Sequence, residues 1–431
     1  MGMDGSEHPL TNWVTTLSGR LQPYQHAILY VIVLLTIVWI TSTAVVLPDM
    51  FLLNPDNNDA SQKSNITPRQ GLSPSTSARS TAQPLSSESE SFIKSTMSRL
   101  EQRIQARRTG HGLYQLRLNQ TNRWEKNGGF VYLTHGISDG GLGNWMFMIA
   151  SLFGIACSSD RIPSLFLSSY WAEDYFEPLT FPRINKTEFL GVSELVINAT
   201  AAAQTNATVG DDGRAGKFAY WLPDINFAKG SDNVILTGYL QSWRYFAAVR
   251  SEVRSLFIFA TKIFSFALSA IWSELGNFYR RGRNESWNSK ISRRLVGVHV
   301  RRGDITEDGG HRKFGHEPAP TEYFVHAVKY FRAKYPGALF FVISNDEEYC
   351  KGIFQGDEFL FLEQHHEAVD MAVLSLMDDL ILSVGSYGWW ASYLSDATET
   401  VYYKHWPRKG SDMAKIFETS EYFLPEWIPM E

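Results

Sequence analysis

A compact group of charged residues follows an apolar run at His299–Asp304, which reads His-Val-Arg-Arg-Gly-Asp. The preceding Val-Gly-Val run predicts a strand, so the group is expected where that strand ends. Ligands of parallel αβ sheets bind at this edge. Arginine stays charged and binds phosphate oxygens through paired hydrogen bonds, so Arg301 and Arg302, with His299 and Asp304, would suit a diphosphate. A solvated turn with surface arginines is the alternative interpretation.

Two glycine-rich turns could bring backbone N–H groups to the same ligand. Residues 383–394 (SVGSYGWWASYL) predict a strand, a turn and a helix whose first N–H groups, with Ser386, could hold a phosphate. A plain strand-to-helix connection explains the same pattern. Residues 136–146 (GISDGGLGNWM) would allow close approach of a ligand, and Asn144 offers both a donor and an acceptor. The G-x-G-x-x-G spacing of a dinucleotide site is absent.

Other catalytic patterns are missing from the sequence. It contains no Asp-x-Asp pair for a metal-bound nucleotide sugar. His365, His366 and Glu367 are contiguous, which is not the spacing of a zinc helix, and we interpret them as a polar helix start. An enzyme that breaks a sugar–diphosphate bond without a metal must stabilise the leaving charge with fixed cations and amides. Arg301, Arg302 and the Ser386 turn could supply both.

The hydrophobic pattern predicts the elements that would position these residues. From residue 295 onward, short β-branched and aromatic runs alternate with helical segments, which indicates βα units on a parallel sheet. Strands are expected at 295–300, 339–344, 359–363, 380–385 and 400–403, with helices at about 321–334, 346–352, 367–377 and 389–395. An upstream half follows this plan more loosely, with strands at 130–135, 162–167 and 234–239 and a helix at about 145–158. The expected fold class is α/β, with two Rossmann-like halves and a cleft between them.

Composition gives no support for a nucleic-acid-binding protein or a disulfide-rich scaffold. A formal net charge of -5 provides no basic field for nucleic acid. Cys157 and Cys350 are the only cysteines, which define no disulfide framework and leave open whether they pair. The apolar stretch 256–272 is short and contains Lys262, so it predicts a buried amphipathic helix and not a membrane span.

The amino-terminal region predicts a membrane anchor. Residues 27–47 are uncharged and apolar, long enough to cross a bilayer and too long for a cleaved signal peptide. Arg20 precedes this run and aspartates follow it, so the positive-inside rule places the amino terminus in the cytosol. A single-pass type II topology follows, with the larger part of the chain lumenal.

The residues after the anchor are poor in aromatics and rich in Ser, Thr and Pro, which predicts a largely disordered stem. Within it, an apolar stripe at heptad-like spacing predicts a local helix that would also allow a homodimer through the stem; it consists of Ile93, Met97, Leu100 and Ile104. Six glycosylation sequons fit a lumenal domain: Asn65, Asn119, Asn185, Asn198, Asn206 and Asn284.

Several segments in this order resemble the galactoside α1,2-fucosyltransferases of glycosyltransferase family 11. The resemblance spans roughly residues 130 to 428. The matching segments are VGVHVRRGDI (296–305), GGLGNWMFMIASLFGIA (140–156), FVISNDEEYCK (341–351), DMAVLSLMDDLILSVGSYGWWASYL (370–394), TGYLQSWRYF (237–246) and EYFLPEWI (421–428).

This resemblance implies a GT-B-like fold and inverting transfer of fucose from GDP-fucose to a galactose-terminated glycan in the Golgi membrane, without a metal or other cofactor. Arg301 would be the essential arginine facing the diphosphate, and Asn144 would reach the reaction centre from the other half. The nucleotide sugar would be held by His299, Arg302, Asp304, Asp370 and Ser386. The general base stays unassigned, with Asp139 only a guess.

The resemblance also implies a division of the chain. The expected segments are a cytosolic tail (1–26), an anchor (27–47), a stem (48–125), an acceptor-side half (126–290), a GDP-fucose-binding half (291–405) and a tail packed on the catalytic domain (406–431).

Two departures from the family pattern bear on the acceptor. Trp145 replaces the usual Gln and Ile305 the usual Tyr, and both are expected to alter the acceptor pocket. Two other interpretations are kept: a GDP-fucose transferase of α1,6 or O-fucosyl type, and a non-catalytic adhesion or lectin-like glycoprotein. The adhesion interpretation rests on the Arg-Gly-Asp tripeptide at 302–304 and would need that tripeptide to lie in an exposed flexible loop.

Overall fold

The computed structural model describes most of the chain from residue 84 onward. The described residues are 84–119, 125–126, 129–130, 132–135, 140–159, 161–167, 172–185, 195–198, 233–281, 293–307, 309–363 and 366–431. The predicted tail and anchor, and residues 48–83 of the predicted stem, lie outside them. Among the described residues, no helix combines the length and apolar character needed to span a membrane.

Two helices precede the sheets: α1 (Ser87–Thr109) and α2 (Leu113–Asn119). Ser86 caps α1 by accepting a hydrogen bond from the Ser89 N–H at 3.1 Å. The apolar stripe predicted in the stem is buried in the main core, so the local helix is confirmed. Residues 84–119 of the stem predicted to be disordered (48–125) are instead helical, because this stripe packs against the core of its own chain. The predicted homodimer through the stem stays a prediction.

The described residues of the amino-terminal half include seven strands and the long helix that connects two of them. The strands are β1 (Glu125–Lys126), β2 (Gly129–Phe130), β3 (Tyr132–His135), β4 (Ile162–Phe166), β5 (Arg183–Ile184), β6 (Leu195–Asn198) and β7 (Val234–Thr237). β1 and β2 pair antiparallel, and the others form a parallel sheet in the order β5-β4-β3-β7-β6. The buried helix α3 (Leu142–Ser158) connects β3 to β4, as the predicted βαβ plan requires.

Two further helices follow this sheet: α4 (Arg250–Leu256) and α5 (Thr261–Arg281). Helix α5 is the buried amphipathic helix predicted for 256–272, although it begins and ends later. Ile263 and Ile271 are buried on one side, while Phe266 and Trp272 are exposed on the other.

The carboxyl-terminal half is a parallel sheet in the order β10-β9-β8-β11-β12-β13. Its strands are β8 (Leu295–Val300), β9 (Leu339–Ser344), β10 (Phe359–Phe361), β11 (Asp379–Leu382), β12 (Thr400–Tyr403) and β13 (Ile428–Met430). Its helices are α6 (Gly303–Glu307), α7 (Gly309–Phe314), α8 (Thr321–Lys334), α9 (Glu347–Ile353), α10 (Glu367–Ser375), α11 (Ser386–Leu394), α12 (Asp412–Lys415) and α13 (Thr419–Tyr422). The two predicted parallel αβ halves are therefore confirmed.

Two segments from outside residues 291–405 pack with the carboxyl-terminal sheet. Helix α5 packs against α10, so it covers the carboxyl-terminal sheet although it precedes residue 291. The tail supplies β13, which extends that sheet beside β12. The central strands β8 and β11 are neighbours in register, with His299 opposite Leu382, so their carboxyl ends emerge side by side. This adjacency positions the candidate site.

Candidate active site

The carboxyl ends of β8 and β11 are joined through Ser383. Its Oγ accepts a hydrogen bond from the Arg301 N–H at 2.9 Å and lies 3.2 Å from His299 Nδ1. His299 is buried beneath α11, where a Cβ on Gly388 would lie only 2.5 Å from its Nδ1. Burial, with a smaller contribution from Arg301, lowers the pKa of His299 to about 3. The imidazole is therefore neutral and serves as a fixed part of the site.

The Arg301 guanidinium lies over the glycine that precedes α11. Gly385 has a φ of 86°, a backbone conformation that favours glycine, and a Cβ there would be 2.6 Å from Arg301 Nη1, so a side chain would displace the guanidinium. The first N–H groups of a helix have no intrahelical acceptor, and the helix dipole favours an anion beside them. Arg301 and the start of α11 thus combine two independent sources of positive potential.

Arg302 is oriented differently from its neighbour. Its Nε donates to Asp346 Oδ2 at 3.2 Å, and its guanidinium carbon lies 3.7 Å from the centre of the Tyr349 ring. Its N–H donates to Asn345 Oδ1 at 2.8 Å. These contacts tie the loop after β8 to the start of α9. The guanidinium of Arg302 therefore contacts Asp346 and Tyr349, and its predicted part in holding the nucleotide sugar stays a prediction.

Asn144 and Ser386 bring the two halves together. Ser386 Oγ donates to Asn144 Oδ1 at 2.7 Å, and Gln241 Nε2 donates to the same oxygen, also at 2.7 Å. Gly143 fits directly against the Ser386 backbone, since a Cβ on Gly143 would lie 2.6 Å from the Ser386 carbonyl carbon. Because the Ser386 proton is used in this contact, the N–H groups of α11 are the donors available to an anion. Gln241 was not predicted as a site residue, because nothing in the sequence indicates that its amide reaches Asn144.

Asp370 is a buried carboxylate near Tyr387, which packs against His299. It lies in the first turn of α10 and is 7% exposed. Burial, followed by the charges of Asp370 and Glu367, raises the pKa of Tyr387 well above its ordinary value. The Tyr387 ring lies 5.4 Å from the His299 ring, so Asp370 and His299 flank the same tyrosine. The structure thus groups both residues with the Arg301–α11 site.

The predicted polar start of α10 is confirmed at His366. Its Nδ1 accepts a hydrogen bond from the Ala368 N–H at 3.3 Å and caps the helix. His365 and Asp139 lie outside the described residues. Asp304 is the second residue of α6, but its side chain is not among those described. Within the described part of the chain, no three His, Cys, Asp or Glu side chains are grouped so as to hold a metal ion.

The two departures from the family pattern lie in the core. Trp145 is 2% exposed and stacks on Phe176 with ring centres 6.0 Å apart, and Ile305 is fully buried. Both side chains therefore pack in the apolar core, and their predicted effect on the acceptor pocket stays a prediction. Cys157 and Cys350 are free thiols, and burial raises the pKa of each to about 11.

The predicted glycosylation sites are only partly described. Asn119 is exposed at the end of α2, Asn185 is half-buried just after β5, and Asn198 is the last residue of β6. The other three, Asn65, Asn206 and Asn284, lie outside the described residues.

The candidate anion site lies at the carboxyl edge of a parallel αβ sheet, which is where proteins with such sheets bind their ligands. Residues 221–431 match the family model "Glycosyl transferase family 11". The galactoside alpha-(1,2)-fucosyltransferase 1 of Saimiri boliviensis boliviensis is 30% identical over 213 residues, which cover 48% of this chain and 55% of that protein. The human protein of the same name is 34% identical over 199 residues, covering 45% and 51%. The chain thus spans about half the length of these relatives.

Solved structures give a weaker likeness. The fucosyltransferase NodZ from Bradyrhizobium aligns with 62% of this chain and 94% of its own, at 14% identity and a TM-score of 0.38. POFUT1 in complex with GDP-fucose aligns with 63% of this chain and 98% of its own, at 11% identity and a TM-score of 0.38. TM-scores of this size are too low to establish a common fold.

Proposed function

We propose that this chain transfers L-fucose from GDP-fucose to a galactoside with inversion at the anomeric carbon, forming an α1,2 linkage in a GT-B-like architecture. The family match and the names of the relatives support the reaction class. The observation that carries the proposal is the Arg301 guanidinium over Gly385 at the start of α11. The negative charge of a nucleoside diphosphate suits this pair of anion-binding groups.

In the proposed reaction, the acceptor hydroxyl oxygen bonds to the anomeric carbon of fucose as the bond from that carbon to the β-phosphate oxygen breaks. The electron pair leaves with GDP, and the acceptor proton is released. Arg301 and the N–H groups of α11 stabilise the negative charge that develops on the diphosphate, a contribution of several kcal/mol when such groups are fixed in advance. His299 and Asp370 hold the nucleotide side of the site.

Metal independence is part of the proposal, because Arg301 and the helix N-terminus supply the positive charge that a divalent ion would supply elsewhere. A Golgi membrane location, with residues 27–47 as a type II anchor, is proposed from the sequence pattern.

Two alternatives remain as outcomes of the test. Transfer with α1,6 or O-fucosyl regiochemistry would use the same Arg301 site, since that site faces the donor. Adhesion through residues 302–304 is disfavoured, because the Arg302 side chain is held by Asp346 and Tyr349 and is not at a flexible loop tip.

The test is a transfer assay of the purified full chain with GDP-fucose and a panel of galactosides, followed by linkage analysis of the product. We expect an α1,2-linked product at a rate that EDTA leaves largely intact. An α1,6 or O-linked product would correct the linkage, a strict manganese requirement would contradict the charge argument, and failure to bind GDP would overturn the proposal.

A further inference from the structure

The turn after β7 has an unusual backbone. Gly238 has a φ of 88°, and Leu240 has a φ of 49°, the only positive φ of a non-glycine residue in the described part of the chain. A left-handed conformation costs an ordinary residue roughly 1–2 kcal/mol. Such strain persists only where surrounding contacts impose it, and it concentrates at functional sites.

Tertiary contacts hold this turn in place. Ser151 Oγ, from the centre of α3, donates to the Leu240 carbonyl oxygen at 2.9 Å. His135 Nε2, at the end of β3, lies 2.8 Å from the Gly238 carbonyl oxygen. The Leu240 side chain is 3% exposed in the core. With Leu240 anchored inward, its neighbours Tyr239 and Gln241 are fixed toward α3.

Those neighbours both meet the start of α3. Gln241 binds Asn144 Oδ1, as described above. A Cβ placed on the exposed Gly140 would lie 3.2 Å from Tyr239 Cε1 and 2.8 Å from Asn144 Nδ2. A half-exposed aromatic ring and an amide nitrogen therefore flank one exposed glycine, next to the contact between Asn144 and Ser386.

We propose that Tyr239 is the surface on which the acceptor sugar packs, with Asn144 Nδ2 donating a hydrogen bond to one of its hydroxyls. A pyranoside presents a C–H face that suits an aromatic ring and hydroxyls at its edge that suit an amide. Asn144 Oδ1 already accepts two hydrogen bonds, so its NH₂ group is the part left for a ligand. The position favours the acceptor over the donor, because Tyr239 lies in the amino-terminal half while Arg301 and α11 lie in the other. This inference rests on the proposed fucosyl transfer.

The test compares three substitutions in the purified full chain: Tyr239→Ala, Tyr239→Leu and Tyr239→Phe. Acceptor KM, donor KM and slow hydrolysis of GDP-fucose without acceptor are measured for each. We expect Tyr239→Ala and Tyr239→Leu to raise acceptor KM by up to about tenfold, the equivalent of an aromatic packing contact, with donor KM and hydrolysis unchanged. Tyr239→Phe keeps the ring and should stay within about twofold of the wild type.

Trp272→Ala is the matched control, because this aromatic residue is 41% exposed on α5 and outside the site. It should leave all three quantities unchanged. Wild-type acceptor KM in Tyr239→Leu, or an equal rise in donor KM, would overturn the inference while the proposed function stands. Absence of both GDP binding and transfer in the wild type would instead overturn the proposed function.

Discussion

Arginines gather at both edges of the carboxyl-terminal sheet, but with different partners. At the amino edge they meet carboxylates: Arg99 and Arg103 bind Asp378, Arg294 binds Asp379, and Arg107 and Arg254 bind Asp396. At the carboxyl edge, Arg301 lies beside a glycine and the N-terminus of a helix. Arg302, also at the carboxyl edge, binds the Asp346 carboxylate. Arginines therefore join parts of the chain at both edges, and Arg301 is the one that we propose as the anion-binding residue. Mutations at the two edges should affect different measurements.

The largest effect is expected at Asp378, which is 1% exposed and also accepts the Leu295 N–H at 2.9 Å. Asp378→Ala would leave Arg99, Arg103 and this N–H without their acceptor. Breaking a buried ion pair costs about 3–5 kcal/mol, so we expect a fall of that size in the free energy of unfolding. Urea denaturation measures it, and kcat per folded molecule should stay near the wild-type value.

Asp396→Ala is the control at the same edge. This side chain is 42% exposed, so solvent screens its pairs with Arg107 and Arg254. We expect a loss of roughly 1 kcal/mol or less. Equal losses in the two variants would contradict the assignment of Asp378 as the buried anchor of α1.

A smaller effect on stability, but a clear one on transfer, is expected for Gly143→Ala. Its Cβ would lie 2.6 Å from the Ser386 carbonyl carbon, so the halves must separate locally. Such overpacking costs about 1–3 kcal/mol, partly offset by the better helix propensity of alanine. Transfer should fall by at least about tenfold if this cost opposes assembly of the site.

Gly141→Ala is the matched control in the same turn, because no heavy atom of the described residues, apart from its chain neighbours, lies within 4 Å of its added Cβ. Transfer assays and thermal unfolding of both variants check the comparison. Similar losses of transfer in both would show that the contact with Ser386 does not matter.

A further effect, on the pH dependence of stability, is expected at His299. The pKa of His299 falls from 6.5 to about 3 on folding, so the unfolded chain binds its proton more readily. The stability due to His299 is complete above about pH 6.5 and is lost as the pH falls toward 3. Asp379 opposes this trend, because burial, only partly offset by Arg294, raises its pKa to about 6, and it gains stability as the pH falls below that value.

Comparing the wild type with His299→Gln isolates the histidine. Between pH 6.5 and 4, the unfolding free energy of the variant should depend less steeply on pH, by up to about 1 kcal/mol per pH unit. Urea denaturation across this range measures the slope. Parallel curves would show that His299 is not held neutral.

The bounds of strands and helices were predicted well wherever the local pattern of apolar residues determines them. The apolar, β-branched runs of β8, β9 and β12 and the amphipathic pattern of α8 have their predicted bounds, because period and composition identify such segments. The Arg301 strand end and the turn before α11 were also predicted, since both follow from the order of strand, glycine and helix.

Long-range partners could not be predicted in this way. Arg302 looks like Arg301 in sequence, but Asp346 and Tyr349, more than forty residues later, bind it. The role of α1 was missed for the same reason, although Arg99, Arg103 and Arg107 recur every four residues beside its apolar stripe. That spacing, which places three arginines on one helix face, was the available signal.

The account depends most on Arg301 as the cation that binds the diphosphate. Titration calorimetry of GDP with the wild type, Arg301→Ala and the amino-edge variant Arg254→Ala tests this directly. We predict that Arg301→Ala weakens GDP affinity by roughly ten- to a hundredfold, the loss expected for a charged hydrogen-bonding group, with thermal stability preserved. Arg254→Ala should lower stability and leave GDP affinity unchanged. Equal GDP affinity in Arg301→Ala and the wild type would contradict the account.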